Sequence, residues 1–160
     1  MIPAETTSGV NLITLCFDMH ASYKPPMFAF SVHRRSLSHF LIQKTDNCVL
    51  AIPGGDLADE VMFCGSVSGG SIDKVSECGF TLVDSECTTV PGISECIGSV
   101  ELEVASRIPT GDHLTVIGRV LAYRVREDHS ERCLLSVGPD EAGYRVLARK
   151  GIHRLAVVDA

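Results

Sequence analysis

No apolar run in this 160-residue chain approaches the roughly 20 residues that a membrane-spanning helix needs, so no membrane partner is expected. The N-terminus shows no charged stretch leading into an apolar one. Without that signal, a cytoplasmic setting is expected. Basic clusters are scarce as well. The longest is His33-Arg34-Arg35, in a chain of net charge -6, which argues against nucleic acid as a partner. No CxxC pair occurs and no His/Cys group has zinc-ligand spacing, so no metal is expected. Gly54-Gly55 and Gly69-Gly70 form neither a Walker loop nor a GxGxxG fingerprint, and no Rossmann unit surrounds them. No repeat or low-complexity tract stands out, and residue order alone defines no nucleophilic triad.

What is present is a globular composition, 45% hydrophobic and 21% charged, of a length that suits one domain over residues 1–160. The cysteines are Cys16, Cys48, Cys64, Cys78, Cys87, Cys96 and Cys133. Their number is odd and their spacings are wide, which points to reduced thiols rather than a disulfide framework.

Short strand-like runs dominate. Met27–Val32 and Cys48–Ile52 are apolar almost throughout, and the second stops at the turn signal Pro53-Gly54-Gly55. Val100, Leu102 and Val104 alternate with Glu101, Glu103 and Ala105, giving one core face and one wet face. Leu114 to Val125 is apolar on both faces: Leu114, Val116, Val120 and Ala122 on one, Ile117, Leu121, Tyr123 and Val125 on the other. Such a strand has to be covered twice, by the barrel interior and by a helix or second subunit. Leu155 to Val158 suits a last short strand. Two helices fit the spacing, one over Ser36 to Lys44 and one over Asp56 to Cys64 with Asp56 as N-cap. The fold expected is mainly β with minor α, a small antiparallel barrel with one or two short helices.

Three stretches, in this order, resemble the flavin reductase-like, FMN-binding split-barrel family. The first is Asn11-Leu-Ile-Thr-Leu-Cys-Phe17 followed by Ser22-Tyr-Lys-Pro25-Pro26, similar to the family's Asn-x-x-Thr-Ala-Ser segment and Pro-Pro turn. The second is Ile52-Pro-Gly-Gly-Asp56 with Phe63-Cys-Gly65, Ser68-Gly69 and Asp73-Lys74, similar to the flavoredoxin-like branch. The third is Gly111-Asp112-His113 followed by Gly118-Arg119-Val120. The resemblance is strongest over 11–125. It departs where Leu15-Cys16 replaces Ala-Ser and where only Thr6-Thr7 stands for the family's Thr-Thr pair. It implies an antiparallel Greek-key split β-barrel, a homodimer, and FMN as cofactor with FAD as the alternative.

The resemblance also proposes a site. Arg34 and Ser36 would hold the flavin phosphate, with Ser31, His33, Ser38 and His39 nearby. A helix N-terminus with hydroxyls and a guanidinium suits an anion, although Ser36 serves equally as a plain helix cap. Thr14, Leu15, Cys16 and Phe17 would line the ring, or else form an ordinary barrel strand. Asp73 and Lys74 are either close to the flavin or a turn ion pair. His113, beside Asp112, would act near the flavin and the nicotinamide, or else is a surface histidine at a turn, whereas His20, His129 and His153 have no partner pattern. The function implied is an NAD(P)H-dependent flavin reductase with NAD(P)H as transient donor. The alternatives are a flavoredoxin-like FMN electron carrier serving a redox protein partner, and a split barrel binding another ligand.

Overall fold

The computed structural model describes residues 2–3, 9–127, 132–137 and 144–158; Thr6, Thr7 and His129 lie outside them. In chain order, β1 (Ile2–Pro3) pairs with β2 (Val10–Asn11). Then come β3 (Asp18–Tyr23), β4 (Pro26–His33), α1 (Leu37–Ile42) and β5 (Asn47–Ile52). Next are α2 (Ala58–Ser66), α3 (Lys74–Glu77), β6 (Leu82–Val83), β7 (Gly92–Ile93), β8 (Gly98–Thr110) and β9 (His113–Val125). The chain ends with β10 (Leu135–Val137), β11 (Tyr144–Lys150) and β12 (His153–Val158). The main sheet is antiparallel with strand order β3-β4-β9-β8-β5, and a second sheet has the order β10-β12-β11.

Alternation on the long strands builds the core. Phe30 and Val32 of β4, Leu114 and Val116 of β9, and Val100 and Leu102 of β8 close on one another, with Cys48 of β5 and Ile42 of α1. A second cluster, Leu12, Leu57, Cys64, Ile93 and Cys96, lies beneath α2. Ala58, Leu134, Ala148 and Leu155 seat the terminal sheet on the same helix.

The hairpin between β8 and β9 sets up the rest. Gly111 and Asp112 alone connect the strands, and Gly111 takes φ +59°, the left-handed value that tight hairpin turns ask of their first central residue. The turn therefore delivers His113 to the first position of β9, facing Thr110 on one side and His33 of β4 on the other.

Several expectations change on contact with the structure. Glu101 is not on a wet face but buried, because its carboxylate accepts the backbone N–H groups of Glu86 and Cys87, both at 2.7 Å. The β8–β9 ladder shifts register at Leu121, so Ala122 pairs with Glu101 while Tyr123 pairs with Val100. The two-face assignment of β9 therefore holds only up to Val120. Asp56 does not cap α2: it sits within a short 3-10 turn, Gly55–Leu57, and Leu57 holds the cap position without a side-chain bond. Two helices become three, because Asp73 caps the short α3. The hairpin of β11 and β12 adds strands where only the last had been expected.

One glycine of the core faces a neighbour that cannot move aside. A Cβ on Gly118 would stand 2.9 Å from the Cβ of Leu102, a fully buried atom fixed to its own backbone. Gly118→Ala is expected to destabilise the protein by about 1–3 kcal/mol through overpacking. Urea denaturation checks this, and an unchanged midpoint would show that the sheet yields there.

Candidate functional site

The hairpin turn, the end of β4 and the segment before β3 meet at one place. Asp112 Oδ1 lies 2.7 Å from His113 Nδ1, and its other oxygen is 4.0 Å from His33 Nε2. The two imidazoles stand perpendicular with centroids 5.1 Å apart, and the Phe17 ring meets His113 edge-on at 5.5 Å. Arg34 fastens the turn to β4. Its N–H donates to the Asp112 carbonyl at 2.9 Å and its guanidinium to the Gly111 carbonyl at 3.2 Å. The Phe17 carbonyl, in turn, accepts the Ser31 N–H at 2.9 Å.

The electrostatics follow from that geometry. The hydrogen bond from His113, together with its charge when protonated, holds the exposed Asp112 carboxyl below its ordinary range. Asp112 is thus an anion at neutral pH. Its contribution to the folded state is present above the ordinary carboxylate pKa and is lost as pH falls through the lowered one. An anionic acceptor at Nδ1 keeps the proton on that nitrogen and leaves Nε2 of His113 to meet a ligand.

The other expected residues fall into three groups. Ser31 shares a hydroxyl hydrogen bond with Thr115 at 3.0 Å, and Thr115 with Thr110 at 2.6 Å, a chain of hydroxyls running across three strands. Ser36 caps α1: its hydroxyl donates to the His33 carbonyl at 2.8 Å and accepts the His39 N–H at 3.1 Å. Its one proton is therefore committed to the turn. Ser38 is buried and accepts from Asn11 Nδ2 at 2.8 Å, so it holds β2 and α1 together. His39 lies over Phe40, and its buried Nδ1 has no partner among the described residues.

Thr14, Leu15, Cys16 and Phe17 are not a strand. They belong to the irregular connection between β2 and β3, anchored by the Thr14 hydroxyl, which donates to the Val61 carbonyl at 2.5 Å. Thr14, Leu15 and Cys16 line a cavity of about 560 Å³, whose other walls include Phe28, Leu50, Val100 and Leu155. Phe17, next in the chain, stands on the side of His113 and is 58% exposed. Asp73 and Lys74 are not an ion pair. Asp73 accepts the N–H groups of Val75 and Ser76, whereas Lys74 is buried and donates to the carbonyls of Leu12 and Cys64 at 2.7 and 2.6 Å. Burial lowers the Lys74 pKa, since desolvation disfavours the charge.

The cavity, apolar with a few polar groups at its edge, offers a slot for a flat aromatic ring, and the turn carrying Arg34 and Arg35, joined to its wall through Phe17 and His113, offers charged donors for an anion. Sequence reading missed that Arg34 grips the Gly111-Asp112 turn. No local signal reveals a contact made by residues so far apart in the chain.

The chain and its fold have counterparts among known proteins. An uncharacterized protein of Archaeoglobus fulgidus is 31% identical over 71% of this chain and 66% of its own. The chain spans between 49% and 66% of the length of the curated relatives it matches. An FMN-binding protein from Thermus thermophilus is 26% identical with a TM-score of 0.69, covering 79% of this chain and 68% of that one. The NADH:FAD oxidoreductase of Streptomyces globisporus, at 14% identity and a TM-score of 0.72 over 83% and 75% of the two chains, shares the fold. Residues 2–141 match the model of the flavin reductase like domain, and the chain belongs to that family.

Proposed function

We propose that the protein binds FMN and reduces it with NAD(P)H, as a homodimer. The observation that carries this reading is a shared wall. The segment Thr14–Phe17 lines the apolar cavity through Thr14, Leu15 and Cys16 and touches His113 through Phe17. A ring lying on that segment would have its phosphate within the reach of Arg34 and the His33–Ser36 turn. Of the expected phosphate ligands, the Arg34 guanidinium, which spends one N–H on Gly111 and has others to give, is the better donor, because the Ser36 hydroxyl and the N–H groups of Arg34, Arg35 and Ser36 are already used within the turn.

Bound FMN supplies a two-electron acceptor for hydride from a nicotinamide cofactor. The chain's own part is to hold and orient. Leu12, Phe28 and Leu50 keep water from the slot. Arg34 would neutralise phosphate charge, while Asp112, by holding the proton on Nδ1, would leave Nε2 of His113 free to accept from the nicotinamide. Because hydride transfer rests mostly on positioning, His113 assists and is not an obligate acid or base.

The dimer rests on exposed apolar side chains. Tyr123 and Val125 of β9 are 73% and 57% exposed, and Tyr23 of the edge strand β3 is 88% exposed. Apolar surface of this kind is what a second copy covers.

Titration of FMN into the protein, followed by absorbance, should give a tight complex that Arg34→Ala weakens about 10- to 100-fold. An unchanged affinity removes Arg34 from the phosphate. In stopped flow, His113→Ala should slow flavin reduction by roughly 10- to 100-fold without abolishing it. Wild-type protein that keeps FMN yet ignores both NADH and NADPH would instead be an electron carrier. Light scattering at micromolar concentration should report twice the chain mass, and a monomer would overturn the dimer.

A further inference from the structure

Of the seven thiols, one pair is in contact. Cys64, in α2, and Cys78, which closes α3, have their sulfurs 3.8 Å apart. No other two cysteine sulfurs approach so closely among the described residues. Cys64 is buried and forms part of the cavity wall, while Cys78 is half-buried and reachable from solvent.

The backbone already holds the two cysteines in register. Lys74 donates through its ammonium to the Cys64 carbonyl at 2.6 Å, and the Cys78 N–H donates to the Lys74 carbonyl at 3.1 Å. Both ends of one residue are thus tied to the two thiol-bearing positions. Bond formation needs the sulfurs to close from van der Waals contact to about 2.05 Å, a smaller step than any other pair would face.

We infer that Cys64 and Cys78 are a reversible redox pair, oxidised to a disulfide by low-molecular-weight disulfides such as oxidised glutathione. The Cys78 thiolate, the more accessible, attacks one sulfur of oxidised glutathione. A Cys78–glutathione bond forms and one glutathione thiolate leaves. The Cys64 thiolate then attacks the Cys78 sulfur, forming the internal disulfide and releasing the second glutathione. Two electrons pass from the protein to the oxidant, and the two thiol protons end on the two released thiols. Excess thiol reverses both steps.

The surroundings set the pace. Burial pushes Cys64 up to about 12 and raises Cys78 as well. Glu60 raises both thiols and Glu77 raises Cys78, while the Lys74 ammonium lowers both. Few thiolates exist at neutral pH, so oxidation is slow there and quickens by up to tenfold per pH unit toward the alkaline range. The product clips α2 to α3 and alters the cavity wall at Cys64.

The sequence provides a direct readout, because trypsin cuts after Lys74, between the two cysteines. The full-length protein is incubated with oxidised glutathione at pH 7 and at pH 9, alkylated, digested without reductant and mapped by mass spectrometry. The expected result is a cross-link of peptide 45–74 to peptide 75–107, fragmentation placing it at Cys64 and Cys78. It should form faster at pH 9 and vanish with dithiothreitol. In Cys64→Ala, the glutathione adduct should persist on Cys78. Absence of the cross-link in wild type, its placement on other cysteines, or a lasting adduct on wild-type Cys78 overturns the pair. The wild-type map decides the matter even if the variant fails to fold.

Discussion

One buried ammonium organises the region around the cavity. Lys74 brings a charge into the interior and holds it between two carbonyl oxygens, one from Leu12 and one from Cys64. Neither acceptor is an anion, so the bond is a charge–dipole contact that offsets only part of the desolvation, as the lowered Lys74 pKa reflects. Its geometric effect is large. It fixes α3 against α2 and draws the start of the Leu12–Phe17 connection onto both.

The second organising element is the long hairpin of β8 and β9. It is paired by β4 along the first half of β9 and by β5 along the first half of β8, at opposite ends. This offset lets one rigid element supply both the core and, at its tip, the Asp112–His113 pair. The imidazole and carboxylate need no flexible loop to meet, since a two-residue turn leaves them little freedom. Arg34 and His33 then come to the same place because β4 ends in register with the tip. The site is preorganised by strand pairing rather than by packing of long side chains.

What could be read from the sequence follows from what repeats in it. Phe30, Val32, Leu114 and Val116 announced their strands through apolar runs, Val100 and Leu102 theirs through alternation, and the three motif stretches together carried the family. Glu101 read as a wet-face residue because charge nearly always means exposure, and Lys74 as half of a turn ion pair or a neighbour of the flavin. Their partners are backbone groups of remote segments, which composition and spacing do not encode. Ser36 and Ser38 illustrate the same limit at the candidate site. Both sit in a hydroxyl-rich turn that suits an anion, yet one caps a helix and the other pairs with Asn11. The register shift at Leu121 was equally silent, since a bulge needs a partner strand to define it.

The irregularity of the Leu12–Phe17 connection has a consequence for the energy landscape. This stretch belongs to no ladder and is held by Lys74 at one point, by the Thr14 hydroxyl at a second and by the Phe17 carbonyl at a third. Its amides therefore report a local free energy set by a few isolated bonds, each worth about 1 kcal/mol, and not the cooperative energy of the sheet behind it. That one wall of the cavity can therefore open locally at a lower free-energy cost than the walls that β4, β5 and β8 supply.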